Sequence, residues 1–212
     1  MDEPFSEEQR RALLRVVDEL RAAIEASVSL SAPLAEMVAL ADDAQALARS
    51  IAARSGRKAI PRYGPDLDEH DPNALIPFSP VTGRYNPLAP PVELSLLPGD
   101  PRRVVGTVTF GEAYEGAPSY VHGSIIASVY DQILALAPIF ADRAGPTATL
   151  TVHFRKMTPL HVPLRFEAWV ERVEGRKAFV RGTCHTCRPG QTGENANELL
   201  SESEGLFVQF RR

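Results

Sequence analysis

The arrangement of apolar and polar positions divides the chain into three zones. In residues 1–56, Leu13, Leu14, Val17, Leu20, Ile24 and Val28 recur at the three-and-four spacing of one helix face. Ser6 and Gln9 stand just ahead of them in the form of a capping box, so a helix is expected to start there. A second apolar face, Met37, Leu40, Ala41, Ala44, Leu47, Ala48 and Ile51, predicts another helix from Ser31, with Pro33 tolerated in its first turn. The two are expected to form an antiparallel pair on the main domain or on a second subunit, covering the outer face of a sheet or part of a ligand channel. Residues 57–100 hold nine of the chain's 18 prolines. They are expected to form an extended connector rather than regular helix or central strand. Val92–Leu97 within them reads as an edge strand.

The third zone, residues 101–212, carries the main core. Val104–Phe110 alternates as a strand does. Ser124–Ala141 reads as a helix, apolar at Ile125, Ile126, Val129, Ile133, Leu134, Leu136, Ala137 and Phe140. That surface is wider than one stripe and predicts burial on several sides, with Pro138 kinking or ending the helix. Four strand patterns follow, at 147–156, 164–174, 177–186 and 199–210. Gly175 makes a tight turn between the second and third, and a looser loop with Gly190 and Gly193 precedes the fourth. One strand, one buried helix and four antiparallel strands define an α+β domain. A helix apolar nearly all round requires the antiparallel sheet to wrap around it.

Composition narrows the class. A chain of 212 residues, 44% hydrophobic and 24% charged, suits one soluble core with an appendage. No apolar run reaches the roughly 20 residues of a membrane span. The acidic start lacks the basic-then-apolar order of a secretory leader, so the expectation is a cytoplasmic protein. Residues 1–100 carry 10 basic and 16 acidic side chains, against 13 and 11 in residues 101–212. That is no basic stripe for nucleic acid, but the second half can accept a polyanionic small ligand. Cys184 and Cys187 form a C-x-x-C. On a strand they would face opposite sides with Cα atoms roughly 10 Å apart, too far for a disulfide. No second pair completes a zinc site. A metal or redox role with His185 stands against a structural one, and the expectation is no metal and no cofactor.

The chemistry concentrates in YEGAPSYVHGSIIASVYDQ, Tyr114–Gln132. Gly123 stands where the helix begins, and the first turn of a helix leaves N–H groups unpaired with their dipoles favouring negative charge. A glycine there admits a ligand close to the backbone, which suits an oxyanion hole; a plain turn is the alternative. Asp131 is a lone carboxylate on an apolar helix. Desolvated, it would be a general base with a raised pKa; solvated, a surface residue. Eight residues separate the two, about 12 Å along the axis. One carbonyl therefore meets both only if two antiparallel copies of the helix pair across a twofold axis. His122 is open to three roles: orienting the turn, contacting substrate, or acting as a base. The Thr147 hydroxyl could hold a water, although threonine is also a plain strand former.

These pieces together resemble the hotdog-fold acyl-CoA thioesterases of the PaaI-like group, with the closest likeness to the branch that includes the mitochondrial long-chain enzymes. The resemblance rests on YEGAPSYVHG at Tyr114–Gly123, Asp131 nine residues after His122, and TATL at Thr147–Leu150. It continues in TPL at Thr158–Leu160, VEGRK at Val173–Lys177 and SEGLFV at Ser203–Val208. It implies a hotdog fold, a sheet wrapped round a central helix, assembled as a homodimer or dimer of dimers. It implies an acyl-CoA substrate, Asp131 as general base or nucleophile, the Gly123 N–H as oxyanion donor, and His122 and Thr147 as assisting residues, without a metal. Ser124 stands where the family has a second glycine; it narrows the acyl pocket or adds a hydroxyl. Met157 stands where proline is common. Lys156, Arg176 and Lys177 are candidates for the CoA phosphates, with solvated charges beside turns as the alternative. A non-catalytic hotdog module that binds acyl-CoA or a protein is the competing reading, and a hydratase on the same fold would want a paired His and carboxylate.

Overall fold

The computed structural model describes residues 6–56, 71–187 and 197–209. Helix α1 (Glu7–Ser27) starts as the sequence predicts. Ser6 Oγ accepts the Gln9 N–H at 3.2 Å, and Gln9 Oε1 accepts the Ser6 N–H at 2.8 Å. Helix α2 (Leu34–Ala52) begins later than the expected Ser31. Pro33 is not in its first turn but is the cap itself, because its extended conformation (φ −57°, ψ 149°) leaves the ring outside the helix. The two helices share a groove lined by Val16 and Leu20 on one side and Leu47 and Ile51 on the other. They are anchored unequally. Val17 of α1 is buried and Arg21 reaches into the domain, whereas α2 buries no residue and leaves Leu34, Val38 and Leu40 exposed.

The proline-rich connector is described from Asp71 onward; its segment 57–70 and the loop with Gly190 and Gly193 lie outside the described residues. One helical turn, α3 (Pro72–Leu75), does form where no regular helix was expected. Asp71 caps it, and Pro72 sits in the first turn, where its missing N–H removes no helical bond. Asn73 then behaves as a piece of neighbouring strand. Its side chain donates to the Leu94 carbonyl at 2.8 Å and accepts the Leu94 N–H at 3.0 Å. This covers part of an otherwise open sheet edge.

Six antiparallel strands make one sheet in the order β1-β2-β4-β5-β6-β3. They are β1 (Glu93–Leu97), β2 (Asp100–Val108), β3 (Thr147–Phe154), β4 (Leu164–Glu174), β5 (Lys177–Thr186) and β6 (Leu199–Val208). β1 is the edge strand foreseen at Val92–Leu97, and Gly175 (φ +58°) makes the tight β4–β5 turn. Helix α4 (Gly123–Ile139) lies against the sheet and ends one residue after Pro138. Val129, Tyr130, Ile133, Leu134 and Ala137 of α4 are fully buried with Phe166, Ala168, Val180 and Phe207 of the strands. The Tyr130 hydroxyl donates to the Ser201 carbonyl at 2.8 Å, which satisfies its polar end inside that core. Glycines on the sheet let the helix approach. A Cβ on Gly182 would meet Leu134 Cδ1 at 2.8 Å, and one on Gly205 would meet Leu134 Cδ2 at 3.0 Å. The helix is not enclosed all round, however. Ser124 and Asp131 are exposed and Ala127, Ser128 and Ala135 half-exposed, so a narrow stripe of small and polar side chains stays open.

Candidate active site

The loop leading to α4 is built on close backbone approaches. A 3-10 turn at Glu112–Tyr114 enters it. Gly116 donates its N–H to the Tyr120 carbonyl at 2.9 Å, and a Cβ on Gly116 would stand 2.7 Å from His122 Cα. Only a glycine lets the loop close there. Ser119 takes a left-handed conformation (φ 67°), with its N–H held by the Glu115 carboxylate at 2.6 Å. Val121 donates to the Thr158 carbonyl at 2.8 Å and His122 to the Tyr114 carbonyl at 2.9 Å. Two loops and the 3-10 turn therefore hold the residue before Gly123.

The start of α4 separates its orphan donors into used and unused. His122 is the cap, and its Nδ1 accepts the Ser124 N–H at 3.1 Å. Since a backbone N–H can only donate, Nδ1 is an acceptor and the neutral ring carries its proton on Nε2. The Ser124 hydroxyl lies 2.8 Å from the same Nδ1, so the residue that departs from the family pattern is turned onto His122. The Ile125 and Ile126 N–H groups go to the His122 carbonyl at 3.0 and 3.4 Å. The Gly123 N–H has no partner among the described residues. It opens on a cavity of about 630 Å³ lined by His122, Gly123, Ile126, Phe154, Lys156 and Met157, among others.

Asp131 stands elsewhere. It is exposed on the open stripe of α4, the solvated one of the two alternatives the sequence leaves open, because the sheet leaves that stripe uncovered. Its partner is Thr147, whose Oγ1 donates to Asp131 Oδ1 at 2.9 Å and leaves Oδ2 free. The pairing of β3 with β6 slips between Thr147 and Thr149, a bulge of the kind that re-aims a side chain. The site residues thus fall into two groups. His122, Gly123, Ser124 and Lys156 share one end. Asp131 and Thr147 share the other, with Arg176 and Lys177 on the same side, since Thr147, Phe207 and Ala178 are aligned across the sheet. Seven residues of β5 from Lys177 to Cys184 put about 23 Å between the two ends of the sheet, about twice the spacing of Gly123 and Asp131 along α4. Lys156 is paired with Glu198, and Arg176 donates to the Gln209 carbonyl at 3.0 Å.

The cysteines stand apart from both groups. Cys184 is fully buried, and burial pushes its thiol far above the ordinary range. Cys187 lies beyond the end of β5; both are free thiols. Burial lowers the neighbouring His185 below its usual 6.5. Among the described residues no three His, Cys, Asp or Glu are gathered to hold a metal. No described helix is long and apolar enough to cross a membrane. Phe154 and Met157, 54% and 55% exposed at the cavity rim, were not read as wall residues from the sequence. The signal in the sequence is an apolar residue at the end of β3 and another three residues beyond it. Arg21 and Glu25 of α1 were missed as well.

An antiparallel sheet curled round one long central helix, with its candidate chemistry at the helix start, is the hotdog fold, and comparison with known proteins agrees. No family model matches the chain. The acyl-coenzyme A thioesterase THEM4 of Xenopus laevis is 33% identical over 109 residues, 51% of this chain and 46% of that protein. THEM4 of Rattus norvegicus is 30% identical over 109 residues, 51% of this chain and 44% of that protein. The chain thus spans about half the length of the curated relatives it matches. A crystal structure of a thioesterase superfamily protein matches with a TM-score of 0.77 and 28% identity, covering 99% of this chain and 94% of that one. The resemblance to hotdog-fold acyl-CoA thioesterases read from the sequence is borne out, and the superfamily likeness takes in the N-terminal helices too.

Proposed function

We propose that this protein is an acyl-CoA thioesterase that hydrolyses an acyl-coenzyme A to the free acid and CoA. The observation that carries this reading is the unpaired Gly123 N–H at the start of α4, opening on a cavity with apolar walls at Ile126, Phe154 and Met157. A thioester carbonyl oxygen seated there gains a donor and the positive end of the helix dipole as it becomes an oxyanion. The names of the relatives support the same activity.

Asp131 is the acid–base or nucleophilic partner in this reading. Its free Oδ2 either attacks the thioester carbon or takes a proton from water that does, while Thr147 holds Oδ1. With Asp131 as base, the C–S bond breaks and the proton taken from water passes to the departing sulfur. With Asp131 as nucleophile, CoA leaves as the thiolate and takes a proton from water, and a second water cleaves the Asp131 acyl anhydride to the free acid. Because Gly123 and Asp131 stand about 12 Å apart on one helix, the complete site takes Gly123 from one copy and Asp131 from another. The open stripe of small residues on α4 allows two such helices to approach. A twofold arrangement also brings Arg176 and Lys177 of one copy toward Lys156 of the other, where cationic side chains would meet the CoA phosphates.

The test is a panel of short, aromatic and long acyl-CoAs with the purified wild type and Asp131→Asn. Thiol release by the wild type, cut at least about 10²-fold in the variant, is expected for loss of a general base. Binding without thiol release across the panel would leave a non-catalytic acyl-CoA-binding module instead.

A further inference from the structure

We propose that Glu25, on the N-terminal helix α1, is a positioning residue for the turn that presents the Gly123 N–H, an inference that rests on the thioesterase reading above. The connection can be followed bond by bond. The half-buried Glu25 carboxylate accepts the Glu112 N–H at 2.5 Å through Oε1 and the Ala113 N–H at 3.0 Å through Oε2. These are charge-assisted bonds to consecutive backbone donors of the 3-10 turn Glu112–Tyr114. The Tyr114 carbonyl at the end of that turn accepts the His122 N–H at 2.9 Å. His122 caps α4 and precedes Gly123.

Two further features show that this contact is built. One turn earlier on α1, the Arg21 guanidinium donates to four carbonyls of the connector: Gly83 at 3.2 Å, Arg84 at 3.4 Å, Asn86 at 3.0 Å and Ala89 at 3.1 Å. Arg21 thereby fixes where α1 stands, and Glu25 projects from that fixed point. On the other side, a Cβ on Gly111 would lie 2.1 Å from Glu25 Oε1. The backbone of Gly111 is extended (φ −102°, ψ −166°), so any residue fits its conformation; the carboxylate is what fills the space. Its glycine makes room for Glu25. An arginine and a glutamate of α1 and a glycine ahead of the 3-10 turn thus meet at the entry to the loop, while α2 buries nothing. Small errors in the placement of a reacting group reduce rate steeply, so this brace acts on turnover more than on substrate capture.

Two routes break the contact. Glu25→Ala removes the acceptor, and Gly111→Ala pushes the carboxylate aside while leaving Glu25 in place. Each is assayed as full-length protein for kcat and KM on the acyl-CoA that the wild type turns over fastest. Amide hydrogen exchange of the free protein is followed alongside. Both variants are expected to lower kcat about ten-fold with KM within about two-fold, and to speed exchange at Glu112, Ala113 and His122 together. Glu25→Gln, which keeps one acceptor, is expected to fall between wild type and Glu25→Ala, and Glu36→Gln on α2 to match the wild type. An unchanged kcat in Glu25→Ala with faster exchange at Glu112 and Ala113 overturns the proposal. So does faster exchange that stops short of His122. A wild type that hydrolyses no acyl-CoA sinks the thioesterase reading, and the exchange data then still decide whether Glu25 controls the His122 turn.

Discussion

In the proposed site, the start and the middle of α4 work with different parts of the chain. At its start the useful group is a backbone N–H, freed because His122 and its carbonyl take the neighbouring donors. At Asp131 the useful group is a side chain, steered by another side chain from the first residue of β3. A backbone donor survives nearly every substitution, and a carboxylate survives almost none. The difference teaches that the two halves of the proposed site must be probed with different mutations.

The sharpest way to break the comparison is Gly123→Pro. Proline removes the N–H yet belongs at a first helical position, and His122 already has the extended conformation (φ −63°, ψ 133°) that a following proline requires. Turnover is expected to fall at least about 10²-fold with helix content unchanged by circular dichroism, the size seen for one lost oxyanion donor. Gly123→Ala keeps the donor, and its Cβ would come only within 3.4 Å of the exposed Phe154 ring. It should stay within a few-fold of wild type; equal losses in the two variants would mean that the N–H is not the working group.

Mixing the two ends gives the next effect. If each site joins Gly123 of one copy to Asp131 of another, an equimolar refolded mixture of Gly123→Pro and Asp131→Asn regains about a quarter of wild-type activity, because half the dimers carry one intact site in two. A mixture no better than its parents would confine the site to one chain. Thr147→Val should cost about ten-fold in kcat, since it removes one hydrogen bond to a charged group but leaves the carboxylate in place. The smallest effect concerns pH. His185 lies at the Gly123 end, and burial holds its folded-state pKa below 6.5. The unfolded chain therefore binds more protons as pH falls through 6.5, and stability declines in that direction. Urea melts at pH 7.5 and 5 should show a shallower acid loss in His185→Gln than in wild type.

Much of this architecture is legible along the chain. The alternating strands, the long helix and the capping box at Ser6 follow from local pattern, and all form. Asp131 is conspicuous in sequence as a lone charge among apolar residues. Its exposure is not, because the sheet covers α4 only in part and nothing local records where coverage stops. Arg21 and Glu25 look like ordinary charges on the wet face of an amphipathic helix. Their partners are main-chain carbonyls and N–H groups more than 60 residues away, and backbone groups carry no sequence signature. The same holds for Asn73, whose amide imitates a strand edge.

Gly182 and Gly205 have a last consequence. By seating Leu134 so close to the sheet, they hold α4 like a rule in a slot, and a bulkier residue at either position would lift it. The spacing of Gly123 and Asp131 along each helix is then a fixed gauge, set by helix rise. In the proposed thioesterase the parts that would adjust to a different acyl group lie elsewhere, at the exposed rim of Phe154 and Met157, where change leaves the position of α4 untouched.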